Sequence, residues 1–292
     1  MQHNTKWELV TSHLSELAEG PVWDAARNRI IWVDILSGEI HYVDRGSGQH
    51  HRFATGQFTG AVAIKRSGGW IAALKDGIAS IDNGEIRMLQ TVSHLPDNRF
   101  NDGKCDPAGR FWAGTMSIAD NPGTGTLYAL EADGRLVPKI GGVSCSNGLA
   151  WSSDNSTLYY VDSPTRCVVA YDYDMATNAI SNGRTVITIP EKDGFPDGMT
   201  IDSEDMLWIA LWDGWKVARY DPSTGKCLYE VPVPVARASS CTFGGPNLDE
   251  LYITTAREGL SAAQLDQQPL AGALFVVRDS GFRGVEAVSF NG

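Results

Sequence analysis

Hydrophobic and polar residues follow one another in short runs that recur in a fixed order along the chain. Each copy of the pattern has a run that opens at a small residue, then an aromatic-rich apolar run, then a run in which apolar and polar positions alternate. Alternation with a period of two, together with aromatic and β-branched residues, predicts β-strands. The opening runs start at Gly20, Gly60, Gly103, Gly148, Gly198 and Ser240.

Six copies at a spacing of roughly forty to fifty residues are typical of the blades of a β-propeller. The sequence therefore predicts an all-β, six-bladed β-propeller, with residues 1–292 as a single domain. A propeller must close its ring, because an open blade would leave unpaired strand edges. We expect an N-terminal strand within residues 6–10 and a C-terminal strand within residues 284–290 to share one blade. The outer strands are the least defined, with residues 51–53, 86–89 and 185–189 as candidates.

Side chains that carry oxygen occupy one equivalent position in all six copies, directly before the small residue that opens each copy. These residues are Glu19, Thr59, Asp102, Asn147, Asp197 and Ser239. Because the blades are rotated copies of one unit, these side chains should form a ring at one height around the central axis. Asp-Gly and Asn-Gly pairs also form turns in many β proteins, but Glu19 precedes Gly-Pro, where no such turn is needed.

Carboxylates gathered around one axis would repel each other unless they bind a cation. Oxygen ligands of this kind favour one hard divalent cation. Ca²⁺ is the first expectation, and Zn²⁺, Mn²⁺, Mg²⁺ or Fe²⁺ are the alternatives. A bound metal can polarise an ester carbonyl and activate water for its hydrolysis.

Other hydrolase chemistries lack their signatures in the chain. The sequence has no G-x-S-x-G nucleophile elbow and no H-E-x-x-H zinc helix. The six histidines lie outside the position that forms the ring, so no imidazole is predicted there as a general base. They are His3, His13, His41, His50, His51 and His94.

Charge and cysteine content narrow the class of partner. The formal net charge of -11 disfavours nucleic acid and anionic membranes. Residues 1–17 lack a signal-peptide pattern, and the five cysteines are scattered without a C-x-x-C pair. We therefore expect a cytoplasmic protein with reduced thiols, a small-molecule partner, and a monomer or weak homo-oligomer.

Four segments carry longer motifs. Residues 17–21 read LAEGP, residues 98–116 read NRFNDGKCDPAGRFWAGTM, residues 146–151 read SNGLAW, and residues 195–199 read FPDGM. Together they resemble the senescence marker protein, gluconolactonase and regucalcin family over nearly the whole chain. The resemblance implies a sugar lactonase whose metal is bound by Glu19, Asn147 and Asp197.

The same resemblance implies roles for residues around the metal. Arg99 and Asn101 would bind oxygen atoms of the substrate. Asp197 would act as the catalytic base, with water activation by the metal itself as the alternative. Asp120 and Asn121 lie in a loop that looks shorter than the lid-like loop of the regucalcin branch, and they are candidate contacts to a sugar hydroxyl.

Three aromatic residues near the predicted mouth, Phe195, Trp212 and Trp215, are candidates either for stacking on a sugar ring or for packing between blades. The leading hypothesis is metal-dependent hydrolysis of a sugar aldonolactone to the free sugar acid. Two alternatives are a metal-dependent aryl-esterase or phosphotriesterase, and a non-catalytic calcium-binding regulatory protein.

Overall fold

The computed structural model describes residues 6–92, 95–278 and 280–292. Within these residues the chain forms six four-stranded sheets, one short helix, α1 (Ala262–Gln267), and two 3-10 helices at Ser163–Thr165 and Glu191–Asp193. The six-bladed β-propeller predicted from the repeat is confirmed. Across the described ranges, no helix has both the length and the apolar character needed to cross a bilayer.

The four strands of each blade occupy equivalent places and run antiparallel to their neighbours. The innermost strands are β2 (Ala18–Asp24), β6 (Thr59–Ile64), β10 (Asn98–Cys105), β14 (Ser146–Trp151), β18 (Phe195–Ile201) and β22 (Ala238–Gly244). The second strands are β3 (Arg29–Asp34), β7 (Trp70–Leu74), β11 (Phe111–Ser117), β15 (Thr157–Asp162), β19 (Leu207–Trp212) and β23 (Glu250–Thr255). The third strands are β4 (Glu39–Asp44), β8 (Gly77–Asp82), β12 (Gly125–Leu130), β16 (Cys167–Asp174), β20 (Lys216–Asp221) and β24 (Phe275–Val277). The outer strands are β5 (His50–Ala54), β9 (Glu85–Thr91), β13 (Leu136–Val143), β17 (Ala179–Thr188), β21 (Lys226–Pro232) and β1 (Glu8–Leu9).

The apolar core lies between neighbouring blades. Trp208 and Val217 of the fifth blade, for example, share one buried cluster with Leu251 and Phe275 of the sixth. The second strand of a blade is therefore covered on both faces. In β19, for example, every residue except the last is buried. Burial on both faces explains the continuous apolar runs at this place in the repeat.

Strands from both ends of the chain close the ring. β1 pairs with β24, with Glu8 opposite Val276 and Leu9 opposite Phe275. The prediction that N- and C-terminal strands share a blade is confirmed. Both partners of this pair are short, because the sixth blade has the long insertion with α1 between its second and third strands.

Residues 284–290 do not form the C-terminal strand of that blade, so this part of the prediction is wrong. Gly284 makes one antiparallel bridge to Asp202 of the fifth blade, and Phe290 makes one parallel bridge to Lys65 of the second. Between these bridges, Val285 and Val288 line a cavity of about 310 Å³ together with residues of the inner strands. Apolar residues of this segment thus line a cavity beside the inner strands instead of pairing in a sheet.

Close approach of the inner strands explains why small residues open the copies of the repeat. A Cβ atom on Gly60 would lie 2.5 Å from the carbonyl group of Phe100. A Cβ atom on Gly148 would lie 2.8 Å from the backbone oxygen of Asp197 and 2.7 Å from a side-chain carbon of Met199. Glycine at these two positions therefore permits strand packing around the axis.

Replacing Gly148 by Ala is expected to lower the free energy of unfolding by about 1–2 kcal/mol, because the added methyl group must displace its neighbours. Chemical denaturation measures this change. Gly141→Ala is the matched control, since a Cβ atom there meets nothing within 4 Å, and its effect should stay below about 0.5 kcal/mol. Equal losses in the two variants would contradict the close packing.

Candidate metal centre

Glu19, Asn147 and Asp197 lie near the start of three inner strands and come together around the channel axis. The strands β2, β14 and β18 each shift register at this residue or directly after it. A shift of this kind redirects a side chain relative to its sheet. The three side chains are only 3%, 3% and 5% exposed, respectively.

Three buried carboxylates, those of Glu19, Asp102 and Asp197, lie close enough for their charges to interact. Burial raises the pKa of Glu19 well above its ordinary value, and the charges of Asp197 and Asp102 raise it further. Burial also raises the pKa of Asp197 well above its ordinary value, and Asp102 adds to the effect. Arg99 and Lys104 oppose these charges, so full ionisation of the three carboxylates would leave one negative charge in excess of the two cations.

A divalent cation fits this donor set, because it would neutralise the excess charge and bind carboxylate and amide oxygens. Asn147 is oriented for this role. Its Nδ2 atom donates to Ser163 Oγ at 2.8 Å, and Ser163 Oγ donates to the carbonyl of Pro196 at 2.6 Å. The amide nitrogen is therefore engaged, and Asn147 Oδ1, which accepts one hydrogen bond from Asn101 Nδ2, keeps a second lone pair for a cation. Sequence reasoning missed Ser163, which follows a second strand and has no equivalent place in the repeat.

Two members of the predicted oxygen ring are used elsewhere. Thr59 Oγ1 is hydrogen-bonded to Thr55 Oγ1 at 2.7 Å. Ser239 Oγ donates to the carbonyl of Ala18 and lies 3.0 Å from Thr254 Oγ1. Because both hydroxyls are satisfied by the strands around them, the expectation that all six side chains form one donor ring was too broad.

Asp102 belongs to the charge cluster, and its side chain is held by a backbone hydrogen bond. Its Oδ1 atom accepts a hydrogen bond from the Gly103 N–H at 2.7 Å. Burial raises the pKa of Asp102, and the positive charge of Lys104 opposes this rise. Lys104 Nζ in turn donates to the carbonyl of Met199 at 2.7 Å. Sequence reasoning placed Asp102 in the ring but missed Lys104 as its counter-charge.

Arg99 and Asn101 lie directly beside the candidate ligands. Arg99 Nη1 donates to Asn101 Oδ1 at 2.6 Å, and Asn101 Nδ2 donates to Asn147 Oδ1 at 3.1 Å. Both side chains are buried, with 8% and 6% of their surface exposed. Burial lowers the pKa of Arg99, and negative charges that include Glu258 and Asp120 oppose this shift.

The loop after β11 brings one of its two predicted residues towards the site. Asp120 is exposed, with a φ of 55°, and its charge acts on Arg99. Asn121 is also exposed, and its backbone carbonyl accepts a hydrogen bond from Thr124 Oγ1 at 3.1 Å. Sugar contacts by these two residues remain predictions. Glu258, which also acts on Arg99, was missed because it lies in the insertion after β23 and outside the repeat.

The aromatic residues of the fifth blade differ in exposure. The guanidinium of Arg237 stacks on Trp212 at 4.7 Å, and that of Arg166 stacks on Phe195 at 3.8 Å. Trp215 is 46% exposed. One face of Trp212 and of Phe195 is therefore covered by a cation, and Trp215 is the residue of the three with most surface free to stack.

A family model described as SMP-30/Gluconolactonase/LRE-like region matches residues 17–257 of the chain. The chain belongs to this family. The resemblance found in the sequence motifs is thereby confirmed. A regucalcin from Danio rerio is 40% identical over 291 residues, which cover 98% of this chain and 99% of that protein.

Two solved structures extend the similarity of this SMP-30/gluconolactonase family member. A luciferin-regenerating enzyme is 32% identical with a TM-score of 0.93, covering 99% of this chain and 100% of the other. A calcium-binding protein, regucalcin from Agrobacterium tumefaciens, is 27% identical with a TM-score of 0.93, covering 98% and 97% of the two chains. Family membership thus supports sugar lactone hydrolysis in general, and calcium binding is described for one relative.

Proposed function

We propose that this chain hydrolyses a sugar lactone to the free sugar acid at its central charge cluster. Glu19, Asn147 and Asp197 would hold one divalent cation, with Ca²⁺ as the first expectation. The observation that carries the proposal is the cluster of three buried, interacting carboxylates of Glu19, Asp102 and Asp197. A divalent cation bound there would polarise the lactone carbonyl and stabilise the charge that develops on its oxygen.

Asp197 is proposed as the base that takes a proton from the attacking water. It lies among the candidate ligands and is almost fully buried, so bulk water does not compete for its carboxylate. The described histidines lie elsewhere: His13, His41 and His50 stack with one another, and His51 stacks on Tyr42. Since no described imidazole reaches the cluster, a carboxylate is the group available for proton transfer.

Arg99 and Asn101 are proposed to bind the carbonyl or hydroxyl oxygens of the lactone. A guanidinium has five N–H donors, and the hydrogen bonds to Asn101 and to the carbonyl of Phe100 involve only Nη1 of Arg99. The remaining donors are held in a fixed direction by these contacts. Such positioning orients the lactone for attack without a conformational search.

Purified protein loaded with Ca²⁺, Zn²⁺, Mn²⁺, Mg²⁺ or Fe²⁺ is expected to release acid from gluconolactone, galactonolactone, arabinonolactone or xylonolactone faster than buffer alone. A pH-stat measures this release. Removal of the metal with a chelator should return the rate to the spontaneous value, because the cation supplies the carbonyl activation. Addition of metal to the chelated protein should restore it.

A rate equal to spontaneous hydrolysis with every metal and every lactone would contradict the proposal. Calcium binding without turnover would instead support the regulatory alternative, which the description of one relative as a calcium-binding protein favours. An aryl ester assayed in parallel distinguishes lactonase from aryl-esterase specificity through the ratio of the two kcat/KM values.

A further inference from the structure

A cluster of imidazoles and carboxylates lies outside the central charge cluster, where the chain enters the first blade. His13 lies between β1 and β2, Asp34 ends β3, and His41 lies in β4. One ligand atom from each of these three residues lies within 4.8 Å of the other two. His41 is fully buried and Asp34 is 2% exposed.

Two nitrogen atoms of this cluster are buried without hydrogen bonds. Nε2 of His13 and Nε2 of His41 have no hydrogen-bond partner among the residues described. Glu39 Oε2 lies 3.3 Å from His41 Nε2 but does not hydrogen-bond to it. Buried polar atoms in native proteins almost always have partners. A bound cation would satisfy both nitrogens at once.

Hydrogen bonds fix the positions of His41 and Asp34. His41 Nδ1 lies 3.0 Å from His50 Nε2, so the opposite nitrogen of His41 is the one left to bind. Asp34 accepts hydrogen bonds from the backbone N–H groups of Glu16 at 2.9 Å and Leu17 at 3.1 Å.

We propose that His13, Asp34 and His41 form a second metal site, with water completing the coordination. Two imidazoles and one carboxylate suit a divalent transition-metal ion such as Zn²⁺, whereas the oxygen donors of the central cluster suit a harder cation. Bonds of about 2.0–2.1 Å to Zn²⁺ require these atoms to move closer together than 4.8 Å. The rings of His13 and His41 are stacked with their centroids 4.6 Å apart, so one ring must turn towards the ion. This movement falls to His13, which is half-buried on an irregular segment, while Asp34 and His41 lie on strands.

A metal at this site would fasten the segment before β2 to the first blade. That segment links the closing strand β1 to Glu19. Any ion that binds the folded chain and not the unfolded chain stabilises the fold in proportion to the logarithm of its concentration. The second site would therefore stabilise ring closure, independently of whether the central cluster hydrolyses a lactone.

The test uses Asp197→Asn protein, so that the central cluster lacks one of its ligands. Co²⁺ is expected to give the visible absorption bands of a tetrahedral ion, and Zn²⁺ is expected to displace it and raise the Tm. His13→Gln in the same background should abolish the bands and the rise in Tm. His51→Gln is the matched control, because His51 lies on the same blade but stacks on Tyr42, and it should retain both signals.

Absence of tetrahedral Co²⁺ bands, or bands that persist in His13→Gln, would overturn the proposal. Circular dichroism checks that His13→Gln is folded. If it is not, the wild-type chain decides the question: Zn²⁺ should protect the half-buried His13, but not His51, from modification by diethyl pyrocarbonate. Modification of His13 that is equal with and without Zn²⁺ would refute the site.

Discussion

Asp197→Asn is expected to lower kcat/KM for a hydrolysed lactone by about three orders of magnitude. The amide keeps the shape of the side chain but cannot accept a proton from water. It also removes one of the three carboxylates whose excess charge attracts the cation. Loss of the proton acceptor lowers kcat even at saturating metal, whereas loss of charge lowers the affinity for the metal ion. Calorimetry of metal binding therefore separates the two effects.

Unfolding should not explain the loss of activity in this variant. Asp197 is buried among like charges, so removal of its charge relieves repulsion in the metal-free protein and should leave its Tm unchanged or higher. Asp221→Asn is the matched control, because Asp221 ends a strand of the same blade and its carboxylate accepts hydrogen bonds from its own turn at Ser223 and Thr224. Activity of Asp197→Asn within about tenfold of the control would exclude Asp197 as the base.

The inner three strands of every blade could be predicted because buried strands have a recognisable pattern of apolar residues. The runs that begin at Leu158 and Leu207 are apolar at nearly every position, since both faces of these strands are covered. The outer strands β13 and β21 were not predicted. Only one residue of each strand is buried, so no apolar face distinguishes them from loops.

The repeat also predicted which side chains lie near the channel axis, but not which contacts each of them makes there. Rotational equivalence correctly brought Glu19 and Asp197 together, although 178 residues separate them in the numbering of the chain. The same equivalence placed Thr59 with them, yet its hydroxyl is hydrogen-bonded within the neighbouring chain segment. Rotamers and hydrogen-bond partners depend on the local backbone of each blade, and a repeat pattern does not specify them.

Two features outside the repeat were not predicted. Glu258 interacts electrostatically with Arg99 from the insertion that follows β23. Val285 and Val288 belong to the segment predicted as the closing strand, but they line a cavity with residues of the inner strands. Apolar residues in a segment do not record whether they pack in a sheet or line a cavity.

Glu250→Gln is expected to lower the free energy of unfolding by about 2–4 kcal/mol at neutral pH. Glu250 of the sixth blade binds Arg45 of the first blade, with an Nη2 to Oε1 distance of 2.5 Å. It also accepts hydrogen bonds from Arg278 Nη1 at 3.0 Å and from the Tyr252 hydroxyl at 2.8 Å. Its side chain is only 6% exposed, whereas those of Arg45 and Arg278 are 31% and 43% exposed. Water can therefore solvate the two arginines in part when the carboxylate is removed. The expected loss of unfolding free energy thus stays below that for breaking a fully buried ion pair.

The pH dependence of this effect has a defined sign. Burial by itself would raise the pKa of Glu250, but the hydrogen bonds from Arg45 and Tyr252 and the charge of Arg278 lower it overall. A carboxyl group whose pKa is lower in the folded state stabilises the fold fully above its unfolded pKa, which is about 4.3. This stabilisation is lost as the pH falls through the folded pKa. The difference between wild type and Glu250→Gln should therefore be largest near pH 7 and shrink below about pH 4.

Urea denaturation at a series of pH values measures this difference directly. Glu230→Gln is the matched control, because Glu230 forms an exposed ion pair with Lys216 on the outer strand of the fifth blade. Such surface pairs contribute about 0.2–1 kcal/mol. If Glu250→Gln cost no more than this control, or if its cost were the same at pH 7 and at pH 3, the contact between the first and last blades would not hold the ring closed through this carboxylate.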